Sequence, residues 1–288
     1  MDRWFTEQHS KTIRFSIQIS KILYQTQTPF QKLEVFENEE LGRFFALDDY
    51  LMITEKDEFI YHDMIVHVPM ATHPHVKKVL VIGAGDGGTV RELCRYVSID
   101  HIDMVEIDEE VVKACRTYFP KSTVSLDDPR VHLYFMDGLK FVAEHQDDYD
   151  LIIVDSTDPF SVGEGLFTDA FYKDCFEALK ADGILVNQHE SPFYEHYRKN
   201  MQRAHQRITK HFPIAKVYQV FIPTYASGHW LFGFASKVYD PIHGVDFKRW
   251  EALNLKTGYY NPAVHVAAFA LPNYVADALK ETHEHDPV

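Results

Sequence analysis

The sequence predicts an α/β fold: a doubly wound parallel sheet following a small N-terminal β-domain. Three observations carry that prediction. From Lys78 onward, continuous apolar runs alternate with amphipathic stretches of helical period. Residues 1–70 are rich instead in period-two alternation of apolar and polar residues. Between the first buried run and the helix after it lies "VIGAGDGGTV" (81–90), in which Gly83, Gly85 and Gly88 satisfy G-x-G-x-x-G.

In the N-terminal domain, "KTIRFSIQIS" sets Ile13, Phe15, Ile17 and Ile19 against polar neighbours, the mark of a half-buried strand. "QKLEVFEN" and "GRFFALDDYLMIT" continue the pattern. "EKDEFIYHDMIVHVPM" then changes period and predicts a helix, with Pro69 as its end. The polar "THPHVKK" marks the boundary, dividing the chain into 1–70 and 71–288. Its histidines, like the two in the tail "ETHEHDPV", are expected at the surface. "KVLVIG" predicts a strand buried on both faces, followed by "VRELCRYV" as helix. "HIDMVEID" and "EEVVKACRTYF" repeat the unit. "VHLYFMDG" and "DLIIVDS" are strands three and four, and "FYKDCFEALKADGILVNQ" a further helix and strand. This is a Rossmann-like pattern, the sheet that methyltransferases also use. Right-handed crossovers bring the carboxyl ends of its strands to one edge, where ligands bind.

The net charge of −14 argues against a nucleic-acid partner and suits small cationic substrates. No run approaches the ~20 apolar residues of a membrane span, and no secretory h-region is recognised. Three cysteines without a CxxC predict neither a disulfide framework nor a zinc site, so a cytoplasmic protein is expected.

The glycine motif alone serves dinucleotides and S-adenosylmethionine-type ligands alike. Its acids narrow the choice. Asp86, inside the turn, would repel a phosphate. Glu106 closes the second strand, at the distance suited to ribose hydroxyls, and Asp137-Gly138 closes the third, where an adenine amino group could be met. Asp137 and Glu106 could also simply cap the following turns. An acid after each strand, with no base near the loop, fits a nucleoside without phosphates. Asp86 would oppose the carboxylate of S-adenosylmethionine but attract a bare aminopropyl ammonium, which points to the decarboxylated sulfonium.

Asp155 ends the fourth strand, and Asp158 follows in "DSTDPFSVGEGLF". Two carboxylates on a strand-end loop can divide two tasks, one accepting a proton and the other holding a cation. Gly163 and Gly165 suit a loop that closes.

The motifs "EKDEFIYHDMIVHVP", "VIGAGDGGTVRE", "VEIDEEVV", "VDSTDP", "LFTDAFY", "IPTYASG" and "YYNPAVHVAAFALP" together resemble the aminopropyltransferase family over nearly the whole chain. The resemblance implies a homodimer or homotetramer that moves the aminopropyl group of decarboxylated S-adenosylmethionine to putrescine, with no cofactor and no metal. It implies Asp155 as proton acceptor. The nucleoside donor would be bound by Gln31, Asp86, Glu106, Asp137 and Gly138, and putrescine by Tyr61, His62, Asp158 and Tyr225. Two departures touch the amine end: Asp49 and Met52, where many members carry "LDG" and then Gln, and "PFSVGEG" after the Asp-Pro pair. Agmatine, cadaverine or spermidine as acceptor, methyl transfer, and a catalytically silent binding protein are the alternatives.

Overall fold

A computed structural model describes residues 3–156 and 163–281. Asp158 and the tail histidines lie outside the described residues. The N-terminal part opens with an antiparallel hairpin of β1 (Arg3–Gln8) and β2 (Arg14–Ile19). A four-stranded antiparallel sheet follows in chain order, β3 (Lys21–Gln27), β4 (Lys32–Asn38), β5 (Gly42–Leu47) and β6 (Tyr50–Thr54). In β2 the alternation holds from Phe15 onward, with Ile17 buried, but Ile13 is exposed in the turn before the strand. Leu33, Val35, Phe45 and Ile53 of this sheet pack on Val111, Ala114 and Cys115 of the helix α3 described below.

Helix α1 (Glu58–Thr72) joins the two parts. It was expected to stop at Pro69, yet it runs on to Thr72 with the proline inside. Proline removes only its own N–H; its carbonyl still accepts from His73 N at 2.8 Å. Residues 60–72 are all buried, as suits a helix apolar on every side. The division expected at residues 70–71 falls at the end of this helix, which itself packs into the core of the large sheet. His73 corrects another expectation. It is 1% exposed, stacked edge-on against Tyr239, whereas His75 is exposed as the reading held.

The large sheet has seven strands: β7 (Lys78–Gly83), β8 (His101–Glu106), β9 (Val131–Phe135), β10 (Tyr149–Asp155), β11 (Leu179–Gln188), β12 (Ile214–Phe221) and β13 (His229–Ser236), in the order β12-β13-β11-β10-β7-β8-β9. From β11 to β9 neighbouring strands are parallel; β13 pairs antiparallel with both β11 and β12. Strand residues alternate between two cores. Val79, Val81, Leu151 and Ile153 face one, and Leu80, Ile82, Ile152 and Val154 the other. Helices α2 (Gly88–Cys94), α3 (Glu109–Tyr118), α4 (Gly138–Ala143), α5 (Asp169–Ala178) and α6 (Glu195–His211) complete the alternation. The chain runs outward from β7 through β8 to β9, then returns to place β10 on β7's other side. That reversal makes the β7/β10 edge the switch point where α/β sheets hold ligands.

Asp63, on α1, ties the C-terminal segment down. Its Oδ2 accepts from the backbone N–H groups of Gly258, Tyr259 and Tyr260 at 2.9, 2.7 and 3.2 Å, and the residue is buried. Asp63→Ala would strand three donors at once. We expect a loss of about 3 kcal/mol of stability, seen as a lower denaturant midpoint. A loss under about 1 kcal/mol would contradict this role.

Candidate active site

At the switch point a cleft of about 1250 Å³, counted to its open mouth, runs between the carboxyl ends of the parallel strands and the N-terminal sheet. Gln31, Tyr61, His62, Asp86, Glu106, Asp137, Gly138, Asp155 and Tyr225 all line it. Trp230 lines it too, while Trp4 is 55% exposed and lies elsewhere.

The glycines shape its floor. Gly83 ends β7 at φ +88°, where a Cβ would stand 2.1 Å from the Asp155 carbonyl oxygen. That closeness lets Ala84 N donate to Asp155 O at 2.9 Å, locking the turn to β10. Gly85 lies under Glu106, whose Oε2 would be 3.0 Å from an added Cβ. Asp86 folds back so that its Oδ1 accepts from Gly88 N at 2.7 Å, capping the turn into α2.

Two carboxyl groups face each other across this floor. Asp155 accepts from Tyr61 Oη at 2.7 Å on Oδ1 and from Thr89 Oγ1 at 2.6 Å on Oδ2. Burial raises its pKa, and the nearby Asp86 charge raises it further, against the opposing pull of His62, Thr89 and Tyr61. An oxygen of each carboxyl and a nitrogen of His62 lie within 4.8 Å of one another. Burial also drives the Tyr61 hydroxyl well above its ordinary value, with Asp155 adding to it, so it stays a donor.

Farther along, Glu106 is raised to about 7, by burial above all; hydrogen bonds from the backbone of Asp108, Ile107 and Gly85 limit the rise. The sign follows. A carboxyl whose folded pKa exceeds its unfolded one favours the fold most at low pH, and that contribution fades as pH climbs from about 4.5 towards 7. Asp137 does cap α4, accepting from Leu139 N at 2.9 Å, yet it also borders the cleft. Gly138 is held by Ile82, whose Cγ2 would be 2.5 Å from a Cβ there. Gln31 donates from Nε2 to Asp108 Oδ2 at 3.1 Å, hooking the β3–β4 turn onto the cap of α3.

The match to known families bears on this geometry. The family model described as "Spermine/spermidine synthase domain" covers residues 58–247. The chain belongs to this family. A second model, "Spermidine synthase tetramerisation domain", covers residues 3–55. The polyamine aminopropyltransferase of Alkaliphilus oremlandii (strain OhILAs) is 62% identical over 284 residues, 99% of this chain and all of the relative. That of Clostridium perfringens (strain ATCC 13124) shows the same identity and coverage. Among solved structures, a spermidine synthase in complex with the transition state analogue AdoDATO superimposes with a TM-score of 0.94 at 42% identity, covering 96% of this chain and 94% of the other. The spermidine synthase of Thermotoga maritima gives 0.91 at 41%, with the same coverage. The protein is an aminopropyltransferase with a Rossmann-like, methyltransferase-like catalytic sheet.

The two departures expected to touch the amine end separate in space. Asp48 and Asp49 form the β5–β6 turn at φ +48° and +68°, and the Asp49 side chain is 67% exposed, 3.2 Å from Lys32. Glycine is the usual residue at such a φ, so the Asp49 difference concerns the turn. Met52 does line the cleft; its carbonyl accepts from Tyr225 Oη at 2.5 Å. Of "PFSVGEG", Gly163 lines the cleft, while residues 159–162 lie outside the described residues.

Sequence reasoning missed Thr89, Glu58, Arg91 and Gln188. Gln188 borders the cleft from the end of β11. Thr89 was findable: it is the first hydroxyl after the last glycine of the turn, at the start of α2, facing the end of the neighbouring strand β10. Glu58 and Arg91 carry no local signal, because their partnership spans two helices.

Proposed function

We propose that this aminopropyltransferase moves the aminopropyl group of decarboxylated S-adenosylmethionine to putrescine, giving spermidine and methylthioadenosine. The observation that carries this reading is the pair Asp86 and Asp155, set within a few ångströms at the switch point with the second-strand acid Glu106 beyond them. On this reading Asp86 receives the aminopropyl ammonium, Glu106 the ribose hydroxyls, and Asp137 with Gly138 the adenine. Gln31 steadies the nucleoside side of the cleft. Putrescine lies along Tyr61 and Tyr225, with Asp158 as a further anion.

The chemistry is an in-line displacement at the carbon beside the sulfonium. The amine nitrogen bonds to that carbon, the carbon–sulfur bond breaks, and methylthioadenosine leaves as a neutral thioether. A primary amine has a pKa of roughly 10.4, so about one molecule in a thousand is neutral near pH 7.4, a barrier of ~4 kcal/mol. Asp155 takes the amine's proton as the bond forms, and its raised pKa makes it a better acceptor than an ordinary Asp. Holding donor and acceptor in line supplies the rest. The donor is a co-substrate and its sulfonium the leaving group, so the reading assigns no cofactor and no metal.

Full S-adenosylmethionine would bring its carboxylate onto Asp86, which disfavours methyl transfer. Met52 lines the cleft, so the choice among acceptor amines is the part of the reading this departure touches. Incubation with the decarboxylated donor, isotopically labelled in its aminopropyl group, and an equimolar mixture of putrescine, agmatine, cadaverine and spermidine, analysed by mass spectrometry, is expected to put the label chiefly into spermidine. Methylated products, or no aminopropylated amine, would overturn the reading.

The region matched by the tetramerisation model exposes Trp4, Ile13 and Phe30, apolar side chains that suit a subunit contact, and the reading assigns a homo-oligomer, dimer or tetramer. Among the described residues no helix is long and apolar enough to cross a membrane. The cysteines Cys94, Cys115 and Cys175 are free, which fits a cytoplasmic setting.

A further inference from the structure

His62 stands where α1 crosses the glycine turn, and the surroundings fix its ring. A Cβ on Gly88 would lie 2.1 to 2.4 Å from three ring atoms, so the imidazole rests directly on the turn. Its Nδ1 meets Glu58 Oε2, one helical turn back, at 2.5 Å. Arg91 grips Glu58 with two nitrogens at 2.8 and 3.0 Å. His62 Nε2 lies 3.2 Å from Asp86 Oδ1, yet has no well-directed hydrogen-bond partner among the described residues, although it is buried.

The charged groups facing the ring can be named element by element. Glu58 and Tyr61 come from α1, Asp86 from the turn after β7 and Asp155 from the end of β10, with Arg91 of α2 behind Glu58. Arg91 is committed to Glu58 and Glu92. Burial resists a charge on His62, but Asp86 and Glu58 outweigh it and hold its pKa well above the ordinary value. Glu58 is itself held down at about 2, burial notwithstanding, by His62 and Arg91. With Nδ1–H on Glu58, a neutral ring would turn its Nε2 lone pair onto the Asp86 oxygen. Before ligand binds, the ring therefore favours both protons.

We infer that an ammonium ligand on Asp86 displaces the Nε2 proton of His62, while Glu58 and Arg91 act as positioning residues that keep the Nδ1 proton in place. This rests on the reading that Asp86 receives the aminopropyl ammonium. The imidazolium Nε2–H bond breaks and its proton leaves to solvent. The ammonium then gives one N–H to the freed lone pair and another to Asp86. One cation replaces another, so the buried carboxylates are never left unneutralised. A ligand without the ammonium leaves the ring charged.

Calorimetry at pH 7.5 in buffers of different ionisation enthalpy counts the protons released. Decarboxylated S-adenosylmethionine is expected to release about one proton per site more than methylthioadenosine, the difference removing any change at Glu106 common to both. In His62→Gln the excess disappears while the donor still binds. In Glu58→Gln it shrinks, because the ring no longer holds its second proton before ligand binds; a merely structural Glu58 would change both affinities and leave the count intact. The ¹⁵N shift of His62 Nε2 in the wild-type protein, moving to the unprotonated range with the donor alone, tests the same point without a variant. Equal counts for two ligands that differ in affinity would overturn the inference and spare the function, as would an excess that persists in His62→Gln. A donor that binds no better than methylthioadenosine would overturn both.

Discussion

Asp155→Asn is expected to lower kcat by about 10²- to 10⁴-fold, the range for loss of a positioned general base. The substitution is conservative in shape. An Asn oxygen can still accept from Tyr61, and its amide can donate to Thr89, so both hydrogen bonds persist with one reversed. The basic oxygen is what disappears. Methylthioadenosine affinity should therefore stay within a few-fold of wild type, while single-turnover aminopropyl transfer collapses. The deficit should narrow as pH rises towards the amine's own pKa of roughly 10.4, because more acceptor arrives neutral. A loss of less than tenfold at pH 7.5 would remove Asp155 from proton transfer.

Asp86→Asn is expected to weaken the decarboxylated donor by roughly 10²- to 5 × 10³-fold, equivalent to the ~3–5 kcal/mol lost when one partner of a buried ion pair is removed. Methylthioadenosine, which carries no ammonium, should weaken by less than tenfold. The substitution also takes from His62 one of the two carboxylates that hold its charge, so the variant's cleft becomes less hospitable to the imidazolium. Competition binding of the two ligands to both proteins checks the contrast. Equal weakening of the two would contradict an ammonium at Asp86.

The acids at the strand ends were legible because a parallel sheet leaves little freedom. Once "KVLVIG", "HIDMVEID", "VHLYFMDG" and "DLIIVDS" are strands of one doubly wound sheet, Asp86, Glu106, Asp137 and Asp155 must reach the same edge. Tyr61 and Tyr225 were less legible. They arrive from α1 and from the segment between β12 and β13, and resemblance rather than pattern placed them. The strands β12 and β13 were not foreseen at all. In "HWLFGFAS" every residue is buried, which erases alternation, and Gly233 reads as a breaker. That glycine is needed because a Cβ there would stand 2.3 Å from Asn187 Oδ1 on the neighbouring strand. His73 misled for a related reason: a polar residue between two elements looks like a linker until the helix before it and Tyr239 close over it. Glu58 and His62 are one turn apart on α1, but the link to Arg91 was beyond reach, since it comes from α2 and meets them only in three dimensions.

The bond from Tyr225 to the carbonyl of Met52 has a consequence for how such a protein can change. Strand β6 meets the segment between β12 and β13 through its main chain, so the identity of residue 52 is decoupled from the joint that holds the wall in position. On the proposed reading, mutation can therefore resculpt the surface that the acceptor amine meets without loosening that joint, and substrate preference there becomes an adjustable trait mounted on a fixed frame.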